Sequence, residues 1–415
     1  MFRALRHPPF RLLWAAVILC QLGFWVSSVA FQWEVAARTG NDALALGLLY
    51  FCSFTPYLLF SLPAGVLTDR VDRGRLLLAV QLAASLIAVV TTALSAVAAM
   101  PMWTVLLLSF LAGCVITVTS PASHALIATV VPPEDLSNAV PLQSAGLNMA
   151  RIVAPALVGP LLVTSGPTSA FGAYVAISVL AAAVARRLLA LVPPTPRRAA
   201  ARETVWRQLA TGIAHVRQRP PALAALCLVA ATSIFGSAYQ AQLPLLAARV
   251  ADDGEAAFAT LATLTGVGAM LGGLTVAWRG ARRGPHTSLA GPVAQLVLLG
   301  AVVAALGVVP SFPVLAALVV LGSGLTLSIM SSLNTVLQYV IDDAHRGRVL
   351  SVYFICWGGL LPFGGLGLGG VVQLLGVRWA FVGYGALAGL CALSVGLRVR
   401  RRTSVAGVDG PGRDL

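Results

Sequence analysis

Lysine is absent from this sequence, and charge of either sign is scarce. All 28 basic residues are arginine, 14 residues are acidic, and charged residues make up 10% of the 415 positions. Hydrophobic residues make up 58%, above the share of a typical globular domain, and the mean hydropathy is +0.88. This composition argues against a water-soluble fold. A net charge of +14 would otherwise suggest a nucleic-acid partner, but the arginines lie in short loops between apolar stretches, so we expect none.

Motifs for metal binding, disulfide frameworks and catalysis are also missing. The cysteines lie far apart inside apolar stretches, with no Cys-x-x-Cys or Cys/His spacing. No Ser/His/Asp, Cys/His or phosphate-loop arrangement occurs, so the sequence predicts no enzyme activity, no metal and no cofactor. We expect the thiols to pack as small apolar groups. They belong to Cys20, Cys52, Cys114, Cys227, Cys356 and Cys391.

Apolar stretches of about 20 residues recur along the whole chain, and each is long enough to cross a bilayer. The first is longer than the apolar core of a signal peptide, so we read it as an uncleaved span. The sequence therefore predicts an all-α polytopic membrane protein embedded in the lipid bilayer. Its twelve predicted spans lie near Phe10–Ala37, Ala43–Thr68, Leu76–Ala98, Trp103–Val130, Asn138–Thr164, Ala170–Val192, Ala222–Val250, Ala256–Trp278, Ser288–Val309, Phe312–Val340, Val349–Leu375 and Trp379–Val399.

The two halves of the chain resemble each other. Leu126–Asn138 follows span 4 and Val336–Arg348 follows span 10, at an offset of 210 positions. Two parallel six-span halves are typical of secondary transporters. The predicted domains are an N-terminal half (residues 1–192), a cytoplasmic linker (193–221), a C-terminal half (222–399) and a cytoplasmic tail (400–415).

The linker contains an amphipathic pattern. Trp206, Leu209, Ile213 and Val216 would share one face of a helix, with polar side chains opposite. The pattern predicts either a helix lying at the membrane interface or a solvated connection.

Arginine placement predicts the orientation in the membrane. The N-terminus, the loops after spans 2, 6, 8 and 10 and the C-terminal tail together hold 24 of the 28 arginines. Basic loops stay in the cytoplasm, so both termini are predicted to be cytoplasmic. The lysine-free composition suggests a bacterial source, which would place the protein in the inner membrane.

The loop after span 2 carries the densest charge in the chain. In Gly65–Arg75, written GVLTDRVDRGR, five charged residues fall within positions 69–75. This stretch resembles the signature loop of the major facilitator superfamily, roughly G-x-x-x-D-R-x-x-R-R-R. PPEDLSNAVPLQSAGLNMARIVAPALVG and RGRVLSVY resemble the subgroup that contains enterobactin exporters and transmembrane secretion effectors. The resemblance implies two pseudo-symmetric six-helix halves.

The same resemblance implies a conformational latch in this loop. Gly65 would let two helices approach closely, and Asp69 would cap the positive end of span 11. Arginines of the loop would pair across the halves and favour an outward-open state. Ordinary positive-inside charge is the alternative, and it explains the arginines alone. Asp72 stands where many family members carry glycine. The arginines are Arg70, Arg73 and Arg75.

Span 5 contains a second motif. Pro155 and Gly159, in NMARIVAPALVG, resemble part of the G-P-x-x-G-G antiporter motif of exporting facilitators, although Ala154 and Val158 replace expected glycines. Proline and glycine allow a membrane helix to kink and to pack closely. This motif favours export over uptake.

Two charged side chains inside the predicted spans are candidates for the transport pathway. Arg151 needs a partner or an aqueous cavity, because a buried arginine is costly in a bilayer; pairing with a neighbour such as Asn148 is the structural alternative. Glu34 is the one acidic residue inside a predicted span, near the outer surface. It could carry a coupling proton, or form an exposed ion pair with Arg38 four residues later.

Further polar side chains in the spans could form a mixed aromatic and amide pocket for substrate. Each could equally bond neighbouring helices together. They are Gln21, Trp25 and Gln32 in span 1, Tyr239, Gln240 and Gln242 in span 7, and Ser331, Asn334 and Gln338 in span 10.

These features predict a secondary transporter that exports a small organic molecule by alternating access, with protons as the counter-ion. A siderophore, a drug or a secondary metabolite would fit the resemblance. Uptake by symport, flipping of a lysolipid and a transport-inactive receptor or scaffold are the alternatives. The sequence leaves the oligomeric state open.

Overall fold

Helices account for all regular structure in the described part of the chain. The computed structural model describes residues 3–97, 100–192, 205–283 and 288–406, and no strand occurs among them. Short 3₁₀ turns, Arg3–Arg6 and Pro133–Asp135, accompany the helices of the N-terminal part. These helices are α1 (Pro8–Thr39), α2 (Ala43–Arg70), α3 (Arg73–Ala96), α4 (Met102–Val130) and α5 (Leu136–Leu191).

The second part of the chain begins with a short helix inside the predicted linker and then repeats the pattern of long apolar helices. The position of the short linker helix at the membrane interface stays a prediction. The limits of the four predicted domains also stay predictions. The helices are α6 (Val205–Gln218), α7 (Pro220–Ala231), α8 (Leu243–Val250), α9 (Gly254–Arg283), α10 (Ala290–Leu306), α11 (Phe312–Val340), α12 (Asp343–Phe354) and α13 (Leu361–Ala406).

The described residues provide twelve membrane crossings, as predicted. Nine stretches are long and apolar enough to span a bilayer, and α10, at 17 residues, is a shorter tenth. Two of the nine cross twice: Asn138–Leu191, which has 54 residues and lies within α5, and Val349–Val399, which has 51 residues, begins in α12 and ends in α13. Gly166 (φ 74°) and Gly376 (φ 76°) make the turns between the paired crossings, in a left-handed conformation that glycine adopts without strain. These glycines are also 210 positions apart, which repeats the offset seen in the sequence.

Tight, capped turns join the helices of the N-terminal half. The α1–α2 turn places Gly40 (φ 61°) and Asn41 (φ 64°) in the left-handed region. Asp42 then caps α2 by accepting a hydrogen bond from the Ala45 amide at 2.7 Å. Asp72 caps α3 in the same way, accepting from the Arg75 amide at 2.8 Å. Side-chain caps of this kind satisfy amides that a helix start leaves without a partner.

The spans that correspond to the predicted seventh and eleventh are not continuous α-helices. A π-helical turn, Thr232–Gly236, and a 3₁₀ turn, Ala238–Gln242, separate α7 from α8. A second π-helical turn, Ile355–Gly359, separates α12 from α13. Irregular backbone at membrane depth is tolerated where protein or an aqueous cavity surrounds it. Both breaks therefore indicate positions inside the bundle.

The bundle has two chemically different ends. One end holds most of the arginines, and we call it the arginine-rich end. It carries the α2–α3 loop, α6 and the first turns of α1 and α12. The end that carries the α1–α2 and α3–α4 turns is called the arginine-poor end. The two halves approach each other differently at these ends.

Glycines allow the halves to meet closely on the arginine-poor side. A Cβ at Gly47 of α2 would lie 2.7 Å from the Gly365 carbonyl oxygen of α13. A Cβ at Gly369 would lie 2.3 Å from the Ala43 carbonyl oxygen. Real Cβ atoms do not approach backbone so closely, so these α2–α13 contacts require glycine. On α2, contact with the other half extends as far as Leu58.

Substitution of Gly272 is expected to destabilise the C-terminal half. A Cβ there would lie 2.1 Å from the Gly324 carbonyl oxygen, where α9 packs on α11. Overpacking of this kind costs about 1–3 kcal/mol. Gly272→Ala should therefore lower the thermal unfolding temperature of the purified protein. Gly273→Ala is the matched control, because a Cβ at Gly273 meets only the Leu327 side chain, at 3.4 Å. Equal unfolding temperatures for the two variants would contradict the packing argument.

Candidate functional site

A cavity of about 390 Å³ lies between the two halves. It extends from Arg151 on α5 and Gln240 in the 3₁₀ turn towards the last turns of α11, and so towards the arginine-rich end. Arg151 lies 15 residues into α5, or roughly 22 Å along the helix, which is near mid-depth. The cavity walls also contain Ser323, Thr326, Leu327, Met330, Ser331, Asn334, Thr335, Tyr353, Phe354 and Trp357.

Arg151 joins the two halves at the inner end of this cavity. Its Nη2 donates a hydrogen bond to the Gln240 Oε1 at 2.8 Å. Its guanidinium carbon also lies 4.9 Å from the centre of the Trp25 ring, within the range of a cation–π contact. The structure thus places Arg151 in the cavity wall, and its role in transport stays a prediction. The partner is Gln240 of the other half, whereas Asn148 donates to the Ser144 carbonyl oxygen of its own helix.

The break in the seventh span positions Gln240. The Ser237 amide donates to the Thr232 carbonyl oxygen at 2.9 Å, five residues earlier, which is the π-helical pattern. A Cβ at Gly364 would lie 2.4 Å from the Ile234 carbonyl oxygen, so α13 packs directly on the broken segment. Breaks of this kind are frequent at functional sites. The sequence reading treated this span as continuous and missed the break, for which Gly236 was the available signal.

Aromatic side chains surround the guanidinium on the arginine-poor side. Trp25 lies 6.4 Å from Phe54, ring centre to ring centre, and Phe54 lies 4.6 Å from Tyr50. The Trp25 Nε1 atom is buried and has no hydrogen-bond partner. Tyr239 is fully buried, with its hydroxyl close to Gly322. This aromatic cluster closes the inner end of the cavity.

The remaining predicted pocket residues are divided between the cavity and the bundle. Asn334 lines the cavity, and its Oδ1 accepts a hydrogen bond from the Gln338 amide at 2.5 Å. Gln21 is half-buried one helical turn before Trp25, and so on the same face of α1. Gln32 is also half-buried, and its Oε1 has no hydrogen-bond partner.

Glu34 forms an ion pair, but the pair is not exposed as the sequence alternative proposed. Its carboxylate lies 2.5 Å from an Arg38 guanidinium nitrogen, and the Glu34 side chain is only 7% exposed. Arg38 also donates to the Met100 carbonyl oxygen, which ties α1 to the segment before α4. Glu34 is the one buried acidic residue among those whose burial the structure describes.

Two residues of the α2–α3 region make no contact with the other half among the side chains that the structure describes. A Cβ at Gly65 would meet open space, so no described helix approaches closely there. Arg73 donates to the Ala125 carbonyl oxygen of α4 at 3.2 Å and lies 3.7 Å from Asp69, which is 60% exposed. The latch itself stays a prediction. The Arg70 and Arg75 side chains are exposed.

The motif of span 5 lies at an interface between the halves. Pro155 is buried within α5, and a Cβ at Gly159 would lie 2.8 Å from the Ala259 Cβ of α9. A Cβ at Gly266 of α9 would lie 2.6 Å from the Cα of Ile152, the residue after Arg151. Glycines on both helices therefore bring α5 and α9 into close contact beside the cavity.

The fold and the cavity define a membrane protein of the major facilitator type. A bacterial homologue of the human lysosomal transporter Spinster, solved in an inward-facing and unoccupied conformation, has a TM-score of 0.68 and 16% identity, covering 95% of this chain and 97% of that one. A POT family transporter in complex with a thioalcohol-conjugated peptide has a TM-score of 0.72 and 13% identity, covering 94% and 96%. Identities this low show the fold alone.

Sequence comparison gives the family. The family model described as transmembrane secretion effector matches residues 1–408, so the chain belongs to that family, as predicted. The staphyloferrin A transporter of Staphylococcus aureus is 29% identical over 150 residues, which is 36% of this chain and 38% of that protein. Macrolide efflux protein A of Streptococcus pyogenes is 26% identical over 229 residues, 54% and 55% of the two chains. The chain thus spans about half or less of the relatives it matches, and these relatives are transporters by name rather than enzymes.

Proposed function

We propose that this protein exports a small organic molecule across the bacterial inner membrane by alternating access, with proton antiport as the driving reaction. The observation that carries the proposal is the cavity between the halves, with the half-buried Arg151 guanidinium at its inner end. The cavity extends to one end of the bundle, and glycine contacts close the other end. Family membership and the two named relatives support transport of a small molecule.

We assign the arginine-rich end to the cytoplasm. That end carries the start of α1, the end of α13 and most of the arginines among the described residues, and basic loops are retained on the cytoplasmic side. The cavity then faces the cytoplasm, and the structure is the inward-open state of the cycle. An exporter would load its substrate in this state.

A labelling experiment tests alternating access without a known substrate. Asn334→Cys, in a background with the six native cysteines replaced, introduces one thiol into the cavity wall. A membrane-impermeant maleimide should label it quickly in inside-out vesicles and slowly in intact spheroplasts, because only outward opening exposes it to the outside. Cys at Gln218, exposed on α6, is the control and should label only in inside-out vesicles. If the cavity thiol also never reacts from outside, a receptor or scaffold is favoured over a transporter.

Proton antiport and export are tested by imposed gradients. The proteoliposomes contain the protein in both orientations. Movement of substrate out of one compartment should accelerate when the compartment that receives it is more acidic. Protons should move in the opposite direction, into the compartment that the substrate leaves. Acceleration with protons moving in the same direction as substrate would instead indicate symport. Phospholipid analogues should not be moved between leaflets, and their movement would favour the flippase alternative.

Gln373→Ala is expected to loosen the closed, arginine-poor end. The Gln373 amide donates to the Asp42 Oδ2 at 2.7 Å, joining α13 to the start of α2. Hydrogen bonds to charged groups contribute about 1.5–3 kcal/mol, and 1.4 kcal/mol corresponds to a tenfold change in an equilibrium. The outward-open population should rise about tenfold, because the Gln373 side chain is exposed and its bond is weakened by solvent. The labelling rate of Asn334→Cys from outside measures this change. An unchanged rate would mean that this bond does not hold the arginine-poor end closed.

A further inference from the structure

We propose that Arg151, Gln240 and Trp25 bind the anionic group of an amphipathic organic anion, which is the class of substrate that the protein carries. The inference rests on the proposed transport function and names the substrate class of the same cavity. It follows from the charge of the cavity, from its hydrogen-bonding groups and from the composition of its walls.

The cavity has a positive charge that the protein does not neutralise. Among the residues that the structure describes, Arg151 is the one charged side chain in the cavity lining, and no acidic side chain is part of it. The hydrogen-bond partner of the guanidinium is the neutral amide of Gln240. Glu34, the buried acidic residue in the described part of the chain, is paired with Arg38. A buried arginine in a membrane normally pairs with a charge, so this site lacks an anion that a ligand can supply.

Hydrogen-bonding groups at the inner end are mainly donors. An arginine side chain has five N–H donors and no acceptor, and the Arg151 Nη2 uses one of them on Gln240. The Trp25 Nε1 is a further donor, buried and without a partner. The Gln240 Oε1 accepts from Arg151 and so faces the guanidinium. A carboxylate or phosphate group matches the free donors of the guanidinium, whereas an ammonium group would meet a like charge there and find acceptors only in the hydroxyl and amide groups of the outer wall, such as Ser331 and Asn334.

The rest of the wall fits an apolar or aromatic body. Leu327, Met330, Tyr353, Phe354 and Trp357 line the cavity between Arg151 and the arginine-rich end. The cavity volume of about 390 Å³ lies within the usual range of about 300–1,000 Å³ for small-molecule sites. An anion with a fused-ring or similarly apolar body therefore satisfies both ends of the cavity.

Arg151 could instead be a purely structural link between α5 and the broken seventh span. Gln240→Glu separates the two roles. A glutamate would keep the link, and strengthen it as an ion pair, but it would neutralise the cavity and occupy the guanidinium. A structural role therefore predicts normal ligand binding by Gln240→Glu, and an anion site predicts its loss.

Two xanthene dyes of opposite charge provide the probes. Fluorescein is an anion and tetramethylrhodamine methyl ester is a cation, and fluorescence anisotropy measures the binding of each to the purified full-length protein in lipid nanodiscs. The wild type should bind fluorescein at least tenfold more tightly than the rhodamine ester. Gln240→Glu should weaken fluorescein binding at least tenfold and reverse the preference. Arg151→Gln should also lose fluorescein binding, and Arg151→Lys should retain part of it, because ammonium keeps the charge without the bidentate geometry.

Matched controls keep these outcomes interpretable. Gln218→Glu makes the same charge change on α6, outside the cavity, and should bind fluorescein like the wild type. Thermal unfolding of each variant checks that it is folded. If the cavity variants are unfolded, the preference of the wild-type protein for fluorescein over the rhodamine ester decides whether the cavity binds an anion. Absence of saturable fluorescein binding, or equal binding of both dyes, would overturn the anion assignment. The Asn334→Cys labelling requires no ligand. It therefore tests the transport proposal separately, whatever the outcome of the dye-binding experiment.

Discussion

Glu34→Gln is expected to abolish proton-coupled efflux while the protein remains folded and still exchanges substrate down its gradient. Glu34 is the one buried acidic residue in the part of the chain whose burial is described, and its carboxylate contacts Arg38. The amide keeps the size and much of the hydrogen-bonding capacity of the carboxylate but does not titrate. A transporter that depends on this proton should therefore lose the response to a pH gradient entirely.

Arg38→Gln is the matched control for this experiment. It removes the ion pair and leaves a carboxylate at position 34, so proton coupling should persist even if the variant is less stable. Removing one partner of a buried ion pair lowers the free energy of unfolding by about 3–5 kcal/mol. Because Arg38 is partly exposed, the loss for Arg38→Gln should lie at the lower end of that range or below it. Efflux from proteoliposomes is measured across a series of external pH values. If Glu34→Gln keeps the wild-type pH profile, the proton is carried elsewhere. Asp69 and the titratable His124, which lies in the last turns of α4, then become the next residues to test.

Asp69→Asn is expected to reduce transport more than tenfold and to leave membrane insertion unchanged. In the structure, the Asp69 carboxylate is exposed and contacts only Arg73 of its own half among the described ion pairs. We propose that it meets the start of α12 when the arginine-rich end closes, where a carboxylate is favoured by the helix dipole. Without that charge, the protein should accumulate in the inward-open state. Labelling of Asn334→Cys from outside should slow in parallel with transport.

Asp72→Asn provides the control for this change in charge. Asp72 caps α3 through the Arg75 amide, and asparagine caps helices about as well as aspartate. Its transport should therefore stay close to that of the wild type. Equal losses in the two variants would attribute the effect to the total charge of the loop, as the positive-inside alternative predicts, and would contradict the latch.

The order of helices could be predicted from sequence because bilayer thickness imposes a single length scale. Each crossing needs about 20 apolar residues, so hydropathy alone gave the twelve spans. The turns at Gly166 and Gly376 fall between predicted spans for the same reason. Helix breaks inside a span do not change hydropathy. The π-helical turns at Thr232–Gly236 and Ile355–Gly359 therefore left no trace in that signal.

The site was predicted residue by residue with mixed success, because contacts between distant helices depend on the conformational state. Arg151 was expected near a cavity from its charge alone, but its partner Gln240 lies 89 positions away and could not be paired with it from sequence. Gly65 was expected at a close contact between helices, and a Cβ there would meet open space among the described residues. Residues of a family motif can make their contacts in any conformational state of the transport cycle. One structure shows the contacts of a single state.

The unpaired guanidinium at mid-depth has an electrical consequence. An empty cavity carries one positive charge through the membrane field, and a bound monoanion cancels it. Moving one charge across the full field is worth about 2.3 kcal/mol per 100 mV, and a partial movement is worth the corresponding fraction. With a cytoplasm at negative voltage, the loaded protein would turn outward at little electrical cost, and the empty protein would be pulled back inward. The resting voltage of the cell would then contribute directly to the export of an anion, and each cycle would appear as a current.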